Sequence, residues 1–298
     1  MKNTFFICAI MVAALCLGVH SEENKLSEIL IDGEGWQVVA EGLGFADGTC
    51  ADAAGNVYFS DMPKGIIYKI DAASGKAEPF IENVPKISGM KWGPDGRLIC
   101  CQNGAKKIVA FDKDKKLAVL AENVSVNDLI VSKTGNVYFT GMPGKVMRID
   151  PAGKLSEAAS DLGSPNGIGL SPDQKTLVVS DYKGTHVFAL KVADDGSLIG
   201  KDDKMTMKTP PSPEGKPAIS GGDGLTTDAS GRHFVTTNLG VQVFDPNGVL
   251  LGIIEKPDAK VPAVNVAFGG PDMSVFYICS KDKIFKRKTK TKGMVFYK

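Results

Sequence analysis

The chain has 298 residues and a formal net charge of +1 at pH 7, with a sequence pI near 7.5. Its length allows either one large domain or two. The near-neutral balance gives no reason to expect binding to nucleic acid or to an anionic membrane surface.

The N-terminus is typical of a secretory signal peptide. Lys2 gives a positive start, residues 5–19 form an apolar run, and polar residues follow at once. The run has the length of a signal-peptide hydrophobic region and is short for a membrane span. We therefore expect residues 1–21 to be cleaved, leaving an exported protein, secreted or periplasmic, with no membrane span in its mature form.

Residues 22–298 are expected to form a single domain made of one repeated unit. Each unit begins with a small polar residue that precedes a turn residue by eight positions, and an apolar strand follows the turn. Short-strand units that recur roughly every 40 residues are typical of propeller blades. The sequence therefore predicts an all-β fold, a six-bladed β-propeller. The pairs are Asp47 and Gly55, Ser88 and Gly96, Asn127 and Gly135, Asn166 and Gln174, Asp223 and Gly231, and Asn265 and Met273.

Two segments of the repeat array leave alternatives open. Ring closure needs one more strand, and both WQVVA at 36–40 and MVFYK at 294–298 are suitable. The longer gap between blades four and five, at 193–222, is rich in Pro and Gly. A loop of that length is either a surface excursion or a cap over the central channel.

The cysteines and histidines do not form an obvious site. The mature chain keeps four cysteines, which permit two disulfides or buried free thiols, and no CxxC pair indicates a zinc site. His186 and His233 fall in strands of different blades, so both are expected to be structural. The four cysteines are Cys50, Cys100, Cys101 and Cys279.

The six repeated polar residues are the candidate site. A radial fold brings equivalent positions together around one axis, so these residues are expected to form a single ring. They carry two carboxylates, three amides and one hydroxyl. Such hard oxygen donors suit Ca²⁺, suit Mg²⁺ or Mn²⁺ less well, and argue against copper. The alternative is that Asp and Asn only begin strands by capping turns.

Four stretches carry a family resemblance. They are FADGTCADAAGNVYFSD, VNDLIVSKTGNVYFT, SPNGIGLSPDQKTLVVSD and GGDGLTTDASGRHFVTT, the last continuing to NVAFGG. In this order and at blade spacing they resemble the gluconolactonase, regucalcin and luciferin-regenerating-enzyme family of six-bladed propellers. The resemblance implies a metal-dependent lactone hydrolase whose substrate is a small lactone or a related sugar derivative.

The same resemblance implies roles for individual residues. Asp47, Asn166 and Asp223 would hold one divalent cation, Ca²⁺ first, with Mg²⁺, Mn²⁺ or Zn²⁺ as alternatives. Asp223 would also be the catalytic base that takes a proton from the attacking water. Asn127 would line the same site. Asp128 follows it and is expected to be structural, on the opposite face of the strand.

Departures from the family pattern concern the substrate contacts. Asp47 stands where the family has Glu, and Lys106-Lys107 stands where members often have two arginines; lysine lacks the planar fork of arginine. Candidates for substrate contact are Asn127, Asn103, Lys106 and Asn265. Two other readings remain open: a propeller that binds a metal and a ligand without turnover, and a strictosidine-synthase-like or paraoxonase-like hydrolase. Neither a GxSxG elbow nor a P-loop is present in the sequence.

Overall fold

The structure, a computed structural model, describes residues 25–84 and 86–298. In that part of the chain, 24 strands form six four-stranded antiparallel sheets. Its helices are two short 3-10 segments, Lys25–Glu28 and Asn103–Ala105. None of the described helices is long and apolar enough to cross a membrane. The signal peptide expected at residues 1–21 lies outside the described residues.

Each sheet is one blade, and in the first five its strands run from the centre outward in chain order. Blade 1 contains β2 (Ala46–Ala51), β3 (Val57–Asp61), β4 (Ile66–Ile70) and β5 (Ala77–Glu82). Blade 2 contains β6 (Ile87–Trp92), β7 (Leu98–Gln102), β8 (Lys107–Phe111) and β9 (Leu117–Glu122). Blade 3 contains β10 (Leu129–Val131), β11 (Val137–Phe139), β12 (Val146–Ile149) and β13 (Leu155–Ala159).

The other three blades follow the same plan. Blade 4 contains β14 (Pro165–Leu170), β15 (Thr176–Asp181), β16 (His186–Val192) and β17 (Leu198–Thr206). Blade 5 contains β18 (Leu225–Thr227), β19 (His233–Thr237), β20 (Gly240–Phe244) and β21 (Leu250–Ile254). Blade 6 contains β22 (Asn265–Gly269), β23 (Val275–Ser280), β24 (Lys283–Lys288) and β1 (Gln37–Glu41).

The inner strands close a ring. Contacts run in order from β2 to β6, β10, β14, β18, β22 and back to β2, so the predicted six-bladed propeller is confirmed. Closure uses the N-terminal candidate: β1 pairs with β24, with Gln37 opposite Lys286. The C-terminal residues 294–297 instead border a cavity of about 40 Å³ lined by inner strands. Gln174 Nε2 donates a hydrogen bond to the carbonyl oxygen of Phe296 in this segment.

Apolar side chains alternate along the strands and fill the spaces between neighbouring blades. Between blades 1 and 2, for example, Tyr58 and Ile67 pack with Met90 and Val109. The four cysteines belong to this interior as buried free thiols rather than disulfides. His233 is also buried; its Nδ1 lies 2.9 Å from Thr227 Oγ1, and burial lowers its pKa to about 4.

Close backbone approach fixes the inner ring. In blades 1, 2 and 4, the ladder between the first two strands shifts register at the predicted ring residue. Such bulges re-aim side chains. A glycine follows the ring residue in each of these blades. A Cβ on Gly48 would lie 1.8 Å from the carbonyl oxygen of Ser88, and one on Gly167 would lie 2.2 Å from that of Asp223. Any larger residue would push neighbouring blades apart.

The first part of the segment at 193–222 is mostly a β-strand. Leu198–Thr206 is the nine-residue outer strand β17, so the Pro- and Gly-rich part begins only at Met207. Its last residues, Ser220 to Gly222, are buried, whereas residues 211–219 are exposed. Ser220 Oγ donates to the Gly184 carbonyl oxygen at 2.8 Å, which fixes the end of the loop beside blade 4.

Gly167→Ala tests the close approach. The added Cβ overlaps the Asp223 backbone, and overpacking of this kind costs about 1–3 kcal/mol. The free energy of unfolding, measured by urea titration, should fall by that amount. Gly35→Ala is the control because a Cβ there meets nothing within 4 Å. Equal stability of the two variants would contradict the described packing.

Candidate active site in the central channel

The side chains of the ring residues interact in two groups near the start of the inner strands. Asn127 Nδ2 donates to Asn166 Oδ1 at 3.1 Å, and the Asn166 side chain hydrogen-bonds to Asp223. On the other side of the channel, the Asn265 amide hydrogen-bonds to Asp47. Residues 47 to 265 therefore converge on one place, as their equivalent positions in the blades predict.

Hydroxyl groups of the second strands hold the ring backbone. Ser180 Oγ donates to the Asp223 carbonyl oxygen at 2.8 Å, and Thr236 Oγ1 donates to that of Val264 at 3.0 Å. Ser88, the ring position of blade 2, does the same from the inner strand: its Oγ donates to the Asn127 carbonyl oxygen at 2.6 Å. Ser88 therefore joins two blades and is a structural member of the ring.

The expectation that Asp128 lies on the strand face opposite the site is wrong. Its side chain is 2% exposed, hydrogen-bonds to Asn265, and lies near enough to Asp47 to raise the pKa of that acid. Side-chain alternation does not apply here, because β10 begins only at Leu129. The site therefore contains three carboxylates rather than two.

The three carboxylates are electrostatically coupled. Burial and then the charge of Asp128 raise the pKa of Asp47 to about 7. Burial and then the charges of Asp47 and Asp128 raise the pKa of Asp223 well above its usual range. Burial likewise raises the pKa of Asp128. Asp47 and Asp223 nevertheless keep part of their side chains open to the channel, so both are accessible to a bound ion or to water.

Lys91 supplies a positive charge that sequence reasoning missed. It lies on β6, and its Nζ donates to the Thr49 carbonyl oxygen at 2.9 Å. It also borders the small cavity that the C-terminal residues line. Its charge lowers the pKa of Asp47 and Asp128. With all groups ionised, three carboxylates and one ammonium leave the channel with two net negative charges. The sequence offered no periodic signal for this residue, since Lys91 is a single lysine within the strand ISGMKW.

This arrangement fits a divalent cation of the hard, oxygen-preferring kind. The nearby donors are carboxylate and amide oxygens, the ligand types of Ca²⁺. Asp128 Oδ2 is buried without a hydrogen-bond partner, as an oxygen reserved for a cation would be. Within residues 25–84 and 86–298, no three His, Cys, Asp or Glu side chains are placed to hold a metal by themselves. Asparagine oxygens would therefore have to complete the coordination.

A cavity of about 470 Å³ opens beside the ring. Loops of blades 2, 3 and 4 line it, and Asn127 and Asn166 belong both to its wall and to the ring. The structure also brings the predicted contacts Asn103 and Lys106 to this wall. Asn265 does not reach it, since its side chain is 2% exposed and its amide bridges two acids. The loop at 207–224 contributes no described residue to the wall, so it does not cap this cavity.

The protein is a six-bladed β-propeller. Carboxylates and amides lie in its central channel, and a cavity opens beside them. Residues 45–282 match the family described as the SMP-30/gluconolactonase/LRE-like region, and the chain belongs to that family. The family resemblance inferred from the four motifs is thereby confirmed.

Similar proteins agree with this assignment. A gluconolactonase from Zymomonas mobilis is 28% identical over 295 residues, spanning 86% of this chain and 82% of that protein. A pentonolactonase from Haloferax volcanii is 25% identical, spanning 74% of this chain and 76% of that protein.

Solved structures of low sequence identity share the fold. A protein described as a putative gluconolactonase has a TM-score of 0.77 at 22% identity, with 90% of this chain and 96% of that chain covered. Regucalcin from Agrobacterium tumefaciens, described as a calcium-binding protein, has a TM-score of 0.73 at 19% identity, with 88% and 96% covered.

Lys91→Met tests the charge count of the channel. Removing the ammonium makes the channel more negative, so the affinity for a divalent cation should rise by at least about tenfold, as expected for a charge within several ångströms at an effective dielectric constant near 20. Calorimetric titration with Ca²⁺ measures the change, and Lys91→Arg, which keeps the charge, is the control. Unchanged or weaker binding by Lys91→Met alone would show that Lys91 does not act on the ring.

Proposed function

We propose that this protein is a lactone hydrolase that depends on a divalent cation, Ca²⁺ before Mg²⁺, Mn²⁺ or Zn²⁺. The observation that carries the proposal is the sharing of Asn127 and Asn166 between the ring and the cavity. A small cyclic ester in that cavity would present its carbonyl to Asn127 and Asn166, and Asn166 interacts in turn with the Asp223 carboxylate. Family membership and the lactonase relatives support the same reaction.

Asp47, Asn166 and Asp223 are the residues that would hold the cation. A bound divalent cation would supply Lewis-acid polarisation of the lactone carbonyl. The description of the regucalcin neighbour as calcium-binding supports the choice of Ca²⁺. Asn127 would keep Asn166 in position through its amide hydrogen bond.

Asp223 is the group that would accept the proton. As water attacks the carbonyl carbon, Asp223 takes a proton from the water. The ring carbon–oxygen bond then breaks, and the leaving alkoxide oxygen receives a proton, so the product is a hydroxy acid. Burial raises the pKa of Asp223 in the metal-free protein, and a divalent cation bound beside it would favour the carboxylate form that accepts the proton. Asn166, hydrogen-bonded to Asp223, orients that carboxylate.

Two substitutions separate the roles of the carboxylates. Asp223→Asn removes the proton acceptor while keeping the shape of the side chain, so kcat for glucono-δ-lactone should fall by about 10²–10⁴. Asp47→Glu keeps a carboxylate and should keep Ca²⁺ binding. The measurements are acid release in a pH-stat and calorimetric Ca²⁺ titration of both variants beside wild type.

Two results would count against the proposal. Wild-type turnover by Asp223→Asn would contradict the role of that residue. A wild-type protein that binds Ca²⁺ but hydrolyses no lactone in a broad panel would favour the reading of a propeller that binds a metal and a ligand without turnover. An unchanged circular dichroism spectrum of the variant controls for folding.

We also propose that the protein is exported. The support is the positive start at Lys2 and the apolar run at 5–19. N-terminal sequencing of the protein from its source cells should give a mature chain that begins near Glu22. Recovery of intact Met1 from the cytoplasm would contradict export.

A further inference from the structure

The charged residues that line the 470 Å³ cavity are all positively charged. Lys106 and Lys183 are its charged lining residues, and no carboxylate is among the described residues that line it. Both lysines are exposed. They lie in loops of different blades: Lys106 ends the short helix Asn103–Ala105, and Lys183 lies between β15 and β16.

Among the residues that the structure describes, no acid forms an ion pair with either lysine. Among the described ion pairs none includes Lys106 or Lys183, although the adjacent Lys107 Nζ lies 3.3 Å from Glu122 Oε2. The nearest acid in sequence to Lys183 is Asp181, which is 7% exposed. Its Oδ1 accepts hydrogen bonds from the backbone N–H groups of Ser164 at 2.9 Å and Gly184 at 3.1 Å. That carboxylate holds the loops together and is turned away from solvent.

Hydrogen bonds hold the backbone around each lysine, so the two side chains extend from fixed positions. The Lys106 N–H donates to the Asn103 carbonyl oxygen at 3.2 Å, and the Lys106 carbonyl oxygen accepts from the Val124 N–H at 3.1 Å. Next to Lys183, the Tyr182 N–H donates to the Ser164 carbonyl oxygen at 2.9 Å. These bonds fix the loops of blade 2 and of blade 4, and the bond from Asn127 Nδ2 to Asn166 Oδ1 joins blade 3 to blade 4 at the same cavity.

The rest of the wall suits a small polar ring. Asn103 and Asn127 offer amide groups, while Met142, Pro143 and Tyr182 offer apolar surface. Tyr182 is 45% exposed, and an aromatic face of this kind packs well against the C–H face of a sugar ring. A sugar-like ring with its ester carbonyl toward Asn127 and Asn166 would leave its outer substituents near the lysines.

The field at this wall depends on the charge of the channel. With all three channel carboxylates ionised around one divalent cation, the channel including Lys91 would carry no net charge, and Lys106 and Lys183 would be the uncompensated charges at the cavity wall. A cleft lined by one sign of charge raises the local concentration of ligands of the opposite sign.

We propose, on the basis of the lactonase function above, that this site selects lactones carrying an anionic oxyacid group, a carboxylate or a phosphate. Lys106 and Lys183 bind that group, and the ester carbonyl lies at Asn127 and Asn166. Lysine provides a point charge that pairs with either oxyanion. The two lysines therefore determine specificity, while the ring performs the hydrolysis.

The test compares substrates that differ in one group. Acid release is measured for neutral glucono-δ-lactone, for 6-phosphoglucono-δ-lactone and for a glucaric acid lactone, at low and at high NaCl concentration. We expect a higher kcat/KM for at least one anionic lactone, and this advantage should shrink as salt screens the lysines. The phosphate and carboxylate arms show which oxyanion is bound.

Substitutions of the lysines then show which residues cause the preference for anionic over neutral lactones. Lys106→Gln and Lys183→Gln should each reduce the ratio of anionic to neutral kcat/KM by about fivefold, the effect of losing an exposed ion pair of about 1 kcal/mol. Lys107→Gln is the matched control, because Lys107 pairs with Glu122 and does not line the cavity, and it should leave the ratio unchanged.

The outcomes distinguish this inference from the proposed function. Equal kcat/KM for neutral and anionic lactones, or a ratio unaffected by both substitutions, overturns the substrate class and leaves lactone hydrolysis intact. If no lactone is hydrolysed, the proposed function fails, and calorimetry tests the cavity separately with 6-phosphogluconate against gluconate. Tighter binding of 6-phosphogluconate that is lost in Lys106→Gln supports the cavity assignment, and equal binding overturns it.

Discussion

Charge repulsion among three neighbouring carboxylates is the constraint that governs the central channel of this propeller. Asp47, Asp128 and Asp223 come from three different blades, and each is moved by burial toward its protonated form. Unpaired buried charge is costly, so such a cluster persists only when compensated. Lys91 supplies one positive charge, and the Asn265 amide lowers the pKa of both Asp47 and Asp128. A divalent cation would neutralise the remaining negative charge, and this is the physical basis of the proposed metal dependence.

The scaffold keeps this cluster together without depending on it. Large apolar clusters between neighbouring blades stabilise the sheets, and the ring strands touch through glycines such as Gly48 and Gly167. Ser180 and Thr236, on the second strands of blades 4 and 5, each donate a hydrogen bond to a carbonyl group at the inner end of the neighbouring blade. Because the packing lies outside the channel, polar substitutions in the ring should alter chemistry more than stability. The cavity, built from loops, can vary in charge without disturbing the ring.

The sequence was sufficient for the fold and for most of the ring, because equivalent blades place equivalent residues around one axis. The sequence misplaced the side chain of Asp128, because strand alternation was assumed from Asn127 onward, whereas β10 begins only at Leu129. It did not single out Lys91, since one lysine in a strand carries no periodic signal. The sequence did not decide which terminal segment closes the ring, because both favour strands. Only the long-range pairing of Gln37 with Lys286 distinguishes them.

Binding of one divalent cation by the channel carboxylates is tested most directly by calorimetric titration of metal-free protein with Ca²⁺, Mg²⁺, Mn²⁺ and Zn²⁺. The double variant Asp47→Asn, Asp223→Asn is the reference. We expect one tightly bound cation per wild-type chain, with Ca²⁺ preferred, and no tight binding by the double variant. Folded wild-type protein that binds none of these ions at millimolar concentration, or a double variant that binds as well as wild type, would contradict this expectation.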